Sequence, residues 1–216
     1  MPSVALQKFE SNMLVDVDRI IGSHGVLNHD GQGRRGLGHI TRGGVLMLCA
    51  AWELYLEELA VESGRVFVDR CDSPDQLPLP VRKEISKVVR DSKHELKPLE
   101  MAGDGWATIY QNQVGASVSG LNTPKSNNLD PLFKRLLGVD ELSAAWSLGK
   151  EEVNGFVSAR GDIAHRGRDA GYVTINSLHE YRALVVRTVT DTDNLMADHL
   201  QAHCPDNRSP WRRRTV

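Results

Sequence analysis

An all-α fold, arranged as an up-and-down helical bundle with extended loops, is predicted by three observations on this chain of 216 residues. Apolar residues recur at helical spacing in most of its segments. No alternating strand pattern of useful length appears, apart from residues 171–175. The length suffices for one sizeable core, and 40% hydrophobic with 25% charged residues is ordinary for a globular protein.

The first third of the chain is predicted to hold two helices separated by a glycine-rich loop. Residues 4–22 carry apolar side chains at helical spacing, and residues 22–44 have the composition of a polar loop. The clearest helix covers residues 45–63, where Ser63-Gly64 is expected to end it. Its apolar stripe consists of Val45, Leu48, Cys49, Trp52, Tyr55, Leu56 and Leu59. The stripe predicts that Trp52 packs in the core.

The rest of the chain is predicted to be a series of helices joined by polar connectors. The elements are, in order, helices over residues 83–94 and 106–121, a loop over 122–128, short helices over 131–137 and 141–146, a helix beginning at Ser147, and a long last helix opened by a capping box from Ser177 to Glu180. We expect one domain over residues 1–204. A short basic tail over residues 205–216 is expected to be disordered.

Composition narrows the function classes. The formal net charge is −2, so nucleic-acid binding would require local basic patches. The three cysteines, Cys49, Cys71 and Cys204, lie far apart without a CxxC spacing, which argues against a disulfide framework or a zinc site. No run approaches the roughly 20 apolar residues that span a bilayer. The N-terminus lacks the apolar stretch of a signal peptide, so a cytoplasmic protein without membrane association is expected.

The segment Arg160-Gly161-Asp162-Ile163-Ala164-His165 carries the strongest chemical signal. Its helix has an apolar stripe made of Val153, Phe156, Val157, Ile163 and Ala164. Arg160 falls in the middle of this stripe, where a charged residue is rarely buried unless something pairs with it. Arginine binds phosphate oxygens through its planar fork, and histidine exchanges protons near neutral pH. The pair therefore suits chemistry on a phosphodiester.

The spacing of the pair creates a geometric difficulty. Five residues on an ideal helix separate Arg160 from His165 by about 140° of rotation. The two side chains therefore do not converge within one regular helix. Either the helix distorts near Gly161 and Gly167, or a second copy of the motif completes the site.

Two segments together resemble the HEPN superfamily, and within it the RiboL-PSP-type proteins. The first is LMLCAAWELYLEELAVE and the second is RGDIAHRG. The residues that carry the resemblance are Trp52, Glu53, Tyr55, Arg160, Ile163, Ala164 and His165. The resemblance implies a metal-independent endoribonuclease, often a toxin or defence effector, that needs no cofactor. It also implies a homodimer in which two copies of the motif face one RNA cleft.

Site roles follow from this resemblance together with the chemistry of RNA cleavage. His165 would supply a proton-transfer group, and Arg160 would stabilise the charge on the phosphoryl oxygens. Many family members carry Asn, Asp or His directly after the arginine, whereas Gly161 stands here and Asp162 follows. Asp162 is the candidate supporting residue, and could orient the imidazole or stay in solvent.

RNA phosphates could be contacted by arginines near the motif and in the glycine-rich loop. The candidates are Arg166, Arg168, Arg34 and Arg35, with His39 and Arg42 in the same loop and the basic tail as a further attractor. Arg166 and Arg168 could equally well be charged residues on a solvated face without a role in RNA binding. Glu53 is expected on a solvated face, with a buried partner for an arginine as the alternative.

Other interpretations remain open at this point. Arg160 and His165 could belong to a surface ion-pair cluster in which Asp162 pairs with Arg166. The chain could also be a non-catalytic helical dimer that binds RNA or a nucleotide, or scaffolds a partner. An antitoxin or regulatory protein could silence the motif. His199 and His203 have a metal-ligand spacing but no third ligand nearby, so no metal site is predicted.

Overall fold

The computed structural model describes residues 1–28 and 36–215, and within them the fold is all-α, as predicted. Its centre is a helix of 33 residues, α3 (Gly38–Arg70), which extends for about 50 Å. Every other long helix except α4 packs on α3. The remaining helices are α1 (Val4–Lys8), α2 (Leu14–Leu27), α4 (Leu79–Arg90), α5 (Gly105–Val118), α6 (Ser126–Leu137), α7 (Lys150–Arg166) and α8 (Ile175–His203).

The N-terminal helices are longer than the sequence predicts. A π turn over Phe9–Met13 joins α1 to α2, which continues to Leu27, and α3 begins at Gly38. Much of the predicted loop over residues 22–44 is therefore helical. The glycines there lower helix propensity, but tertiary packing compensates at Gly44. A Cβ on Gly44 would lie 2.5 Å from a methyl carbon of Leu178, so a larger residue at this position would require the Leu178 side chain to shift.

The expected end of the central helix at Ser63-Gly64 is wrong, since α3 continues to Arg70. Both residues are buried within the helix. A Cβ on Gly64 would lie 3.4 Å from Val114 of α5, at ordinary van der Waals distance. Gly64 thus lies within the packed part of α3 and does not terminate it.

Other predicted boundaries move as well. Helix α4 covers Leu79–Arg90 instead of residues 83–94, and α6 begins at Ser126, within the predicted loop over residues 122–128. The motif helix begins after Gly149 instead of at Ser147, because Ser147 is bound outside the helix by Asp191. The N-cap of α8 lies three residues before Ser177, the N-cap that the sequence predicts. This N-cap is Thr174, whose hydroxyl accepts a hydrogen bond from the Ser177 amide at 2.9 Å.

The C-terminal segment is attached to the bundle, which corrects the expectation of a disordered tail. Trp211 is buried, and its indole donates to the Asp193 carbonyl at 3.2 Å. Arg213 pairs with Asp198 of α8 at 2.8 Å. Arg214 pairs with Glu10 of the N-terminal π turn at 2.6 Å. Two of the tail's arginines are therefore engaged with acidic residues of the domain.

Candidate functional site

The motif lies in the second half of α7, one of the helices that cover α3. Val153, Phe156, Val157 and Ile163 are buried and form its packed face. Ala164 is exposed, which corrects its predicted place in the apolar stripe. The packing leaves the end of α7, from Ala164 onward, open to solvent.

Arg160 is paired across the contact between α7 and α3. Its Nη2 donates to the Glu53 carboxylate oxygens at 3.0 and 3.3 Å, and its Nη1 donates to the Asn122 carbonyl at 3.4 Å. Only 27% of the Arg160 side chain and 15% of the Glu53 side chain are exposed. The expectation that Glu53 is solvated is wrong, and the alternative of a buried arginine partner is confirmed.

Burial shapes the electrostatics of this pair. It raises the pKa of Glu53 above its ordinary value, while the Arg160 charge acts in the opposite direction. One turn earlier, burial raises the pKa of the Cys49 thiol to about 12, and Glu53 adds to this shift. Cys49 is therefore a neutral packing residue at physiological pH, and is not a candidate nucleophile.

Trp52 and Tyr55, the aromatic residues that carry the family resemblance, are buried in the core next to the site. The Trp52 indole packs in the core, as predicted, and donates to the Pro124 carbonyl at 3.3 Å. It stacks on Tyr55, whose hydroxyl donates to the Val189 carbonyl at 3.1 Å. Trp52 thereby holds the same connector that offers the Asn122 carbonyl to Arg160. The role of Asn122 cannot be predicted from the sequence, because a backbone acceptor leaves no residue-type signal.

His165 lies in the last turn of α7 and is exposed, as is Asp162. In the described part of the chain, Asp162 forms neither a hydrogen bond with His165 nor an ion pair with Arg166. The structure thus lacks the Asp162–Arg166 pair on which the surface-cluster interpretation rests. A supporting role for Asp162 stays a prediction.

The helix is regular from Arg160 to His165. Its end comes at Gly167, with φ of 55°, two residues after the histidine. Gly161 lies within the helix and has no positive φ. Distortion therefore does not bring Arg160 and His165 onto one face of a single chain, and the separation of about 140° stands.

A cluster of arginines lies around the C-terminal end of α7 and consists of Arg42, Arg166 and Arg168. Arg168 and Arg42 line one cavity of about 210 Å³ together with Tyr172. Neither arginine has an acidic partner among residues 1–28 and 36–215. Arg166 is exposed at the end of α7. The other two predicted RNA contacts, Arg34 and Arg35, fall outside the described residues.

Metal-ligand geometry is also informative. Within the described residues, no group of three or more His, Cys, Asp or Glu side chains could hold a metal ion. His199 faces the Leu137 carbonyl at 2.8 Å, and His203 faces the His199 carbonyl at 2.9 Å.

Among the described helices, none is both long enough and apolar enough to cross a membrane.

The fold and the site define an all-α protein in which a half-buried glutamate on a central helix holds the arginine of an Arg-x4-His motif on a covering helix. The sequence model of the RiboL-PSP-HEPN family matches residues 19–198, and the chain belongs to this family. The match includes both segments of the site. Searches of curated proteins and of solved structures gave no significant match. Membership points to an RNA-related or nuclease-like function.

Proposed function

We propose that this protein is a metal-independent endoribonuclease, active as a homodimer, that serves as a toxin or defence effector. The observation that carries the proposal is the arrangement on α7. Arg160 is held in place by Glu53 at 3.0 Å, while His165 is exposed on the same helix and free to meet a substrate. A preorganised guanidinium and an accessible imidazole are the groups that metal-independent phosphodiester cleavage uses.

The reaction needs no group from outside these side chains. The ribose 2′-oxygen loses its proton and attacks the phosphorus, while the bond from phosphorus to the 5′-oxygen breaks. The products are a 2′,3′-cyclic phosphate and a 5′-hydroxyl end. His165 accepts the proton of the 2′-hydroxyl and a proton returns from His165 to the leaving 5′-oxygen, so the protons balance, while Arg160 stabilises the negative charge on the phosphoryl oxygens.

The regular geometry of α7 supports a site shared between two copies. Within one helix Arg160 and His165 point to different faces, so a phosphate held by one arginine is better served by the histidine of a partner subunit. This composite arrangement requires that the two α7 helices lie close together in a dimer.

An exposed apolar stripe on α3 offers the surface for such a dimer. Leu54 is 44% exposed, and Leu46, Met47 and Val61 are 37–40% exposed. With Gly43 and Ala50, Leu46, Met47 and Leu54 follow helical spacing along one side of α3, next to Glu53, whereas Glu57 and Glu58 separate Val61 from Leu54. Exposed apolar residues that lie together commonly mark protein interfaces. A second copy docked here would lie beside the Arg160–Glu53 pair.

The arginine cluster supplies the local positive charge that a chain of net charge −2 would need to bind RNA. Arg42 and Arg168 face one cavity, and Arg166 is exposed on the adjacent turn. Since Arg42 and Arg168 lack acidic partners in the described residues, they can bind phosphate without first breaking an ion pair.

The decisive experiment is RNA cleavage by the purified protein in the presence of EDTA. Cleavage that leaves cyclic phosphate ends is expected. His165→Ala should abolish it while the fold and dimer persist, because the side chain is exposed. His94→Ala, an exposed histidine between α4 and α5, is the matched control and should remain active. Full activity of His165→Ala would remove the histidine from the mechanism.

One observation favours a second candidate, a non-catalytic helical dimer that binds RNA or a nucleotide. In the described residues Asp162 does not orient His165, and no other side chain does. An unoriented imidazole is a weaker catalyst than one held by a partner. Salt-dependent RNA binding without any cleavage would select this alternative.

A further inference from the structure

A solvent-open cavity of about 460 Å³ lies between the end of α5 and the first turns of α6. This volume lies within the range of roughly 300–1,000 Å³ that is typical of small-molecule sites. The cavity is separate from the arginine cluster at the end of α7. It shares with the Arg160 site only the connector that contains Asn122.

The lining of this cavity combines amide groups with an apolar surface. Asn122, Asn127 and Asn128 present carboxamides, and Leu121, Pro131 and Leu132 form the apolar part. In the described part of the chain, the side-chain carboxamide of Asn127 forms no hydrogen bond. The side-chain carboxamide of Asn128 forms one, in which its NH₂ group donates to the Thr123 carbonyl at 2.9 Å. Donors and acceptors next to an apolar surface match the edge and the face of a nucleobase.

Buried groups hold one wall of the cavity in place. The Arg135 guanidinium is fixed by Glu84 at 3.0 Å, and the Glu84 side chain is only 9% exposed. Glu84 also accepts a hydrogen bond from Gln113, which in turn donates to Ser117 on the cavity wall. A guanidinium plane held in this way can stack on a base. The rigid wall lowers the entropic cost of binding.

The connector between α5 and α6 links the cavity to the candidate catalytic arginine. The Asn122 side chain lines the cavity, while its backbone carbonyl accepts from Arg160 Nη1 at 3.4 Å. The connector is anchored from the core by the Trp52 indole at Pro124. A base bound in the cavity would therefore contact Asn122, the same residue whose backbone carbonyl binds the Arg160 guanidinium.

We propose that this cavity binds an unpaired nucleobase of the RNA strand next to the cleaved phosphate, and so gives the enzyme a base preference. The inference rests on the proposed ribonuclease function and deepens it. Asn127 and Asn128 read the edge of the base, Leu132 and Arg135 cover its faces, and Asn122 sets the distance to Arg160. The cavity is a binding site, and its residues take no part in bond breaking.

The test measures binding by fluorescence anisotropy in the His165→Ala background, where RNA stays intact. Short single-stranded homopolymers of the four bases are compared. One base should be preferred, and Asn127→Ala and Asn128→Ala should each weaken binding to it by about tenfold and reduce the ratio between bases. Asn12→Ala, an exposed asparagine in the N-terminal π turn, is the matched control and should bind like its parent. Asn127 has no structural hydrogen bond in the described residues, so its variant should fold.

The other outcomes overturn the proposal in distinguishable ways. In one of them, both variants keep the wild-type ratio of affinities for the four homopolymers while the wild type still cleaves RNA. That result overturns the proposed base-binding role of the cavity and is compatible with the proposed ribonuclease function. Nucleoside monophosphates that bind as tightly as the homopolymers would assign the cavity to a free nucleotide instead of the RNA strand. A wild-type protein that neither binds nor cuts RNA overturns both proposals.

Discussion

Arg160 donates from Nη2 to both carboxylate oxygens of Glu53, at 3.0 and 3.3 Å, and so joins the motif helix to the central helix. The pair is half-buried, so the two charges interact through less solvent than a surface pair does. The contact explains why an arginine can occupy the packed face of α7. It also fixes the guanidinium before any substrate arrives.

Glu53→Gln tests this contact directly. The amide keeps the shape but leaves Arg160 without its counter-ion, so we expect kcat to fall about tenfold with a smaller change in KM. The free energy of unfolding should fall by about 1–2 kcal/mol. Asp18→Asn removes another bidentate pair, with Arg182 of α8, and serves as the control for stability without loss of kcat. Equal kcat losses in both variants would argue against a positioning role for Glu53.

Leu54→Asp should separate the proposed dimer. The side chain is 44% exposed in the single chain, so an aspartate there is tolerated by the fold but would be desolvated in a dimer. Light scattering should show a monomer, and RNA cleavage should be lost while the thermal midpoint changes little. Leu99→Asp, at a position 69% exposed and away from α3, is the control and should stay dimeric. A dimeric Leu54→Asp protein would place the interface elsewhere.

A mixture of Arg160→Ala and His165→Ala proteins tests whether the site is composite. Each variant alone should be inactive. If a phosphate is held by the arginine of one subunit and served by the histidine of the other, mixed dimers regain one complete site. Co-expressed or co-refolded chains should therefore recover part of the wild-type cleavage rate. Absence of any recovery, with mixed dimers verified by mass spectrometry, would mean that one chain must supply both residues.

Arg42 and Arg168 should act as phosphate contacts. Arg168→Ala is expected to weaken RNA binding for all sequences. It should also reduce the slope of log K against log salt concentration by about 1, which corresponds to one lost phosphate contact. Arg42→Ala should behave alike, because both arginines line the same cavity. Arg90→Ala, which removes an exposed arginine already paired with Asp91, is the control. A salt slope that does not change in either variant would exclude both residues from the RNA interface.

Asp193 should make folding stability depend on pH. Burial raises the pKa of its carboxyl from 3.8 to about 6, although its hydrogen bond from Ser3 opposes the shift, and Oδ2 has no partner in the described residues. The folded state thus binds a proton that the unfolded state has released. The stabilisation by this proton is complete below about pH 4 and is lost as the pH rises through about 6.

Asp193→Asn should remove this dependence. The expected difference from the wild type is a change in slope of unfolding free energy between pH 4 and 6, on the order of 2 kcal/mol in total. Burial lowers the pKa of His199 to about 4, which works in the opposite direction over the same range. The comparison with the variant isolates Asp193, because His199 contributes equally to both. Parallel curves from denaturant titrations would contradict the assignment.

Most helices could be predicted from the sequence, because apolar periodicity records which face each segment buries. Their ends could not. Ser63-Gly64 has the residue types of a helix stop, yet α5 packs against it and α3 continues to Arg70. The hydroxyl of Thr174 caps α8 in place of Ser177. Local end signals are worth about 1 kcal/mol, so tertiary packing can override them.

The sequence by itself determined the all-α class, the unusual position of Arg160 in an apolar stripe, and the separation of five residues between Arg160 and His165. These features depend only on periodicity and residue type. Only the tertiary structure decided that Glu53 neutralises Arg160, because the two residues are 107 positions apart and meet through the packing of α7 on α3. The same holds for the Asn122 carbonyl and for the amide-lined cavity beside it. Such contacts between distant segments depend on how helices pack, and helix packing leaves no local pattern in the chain.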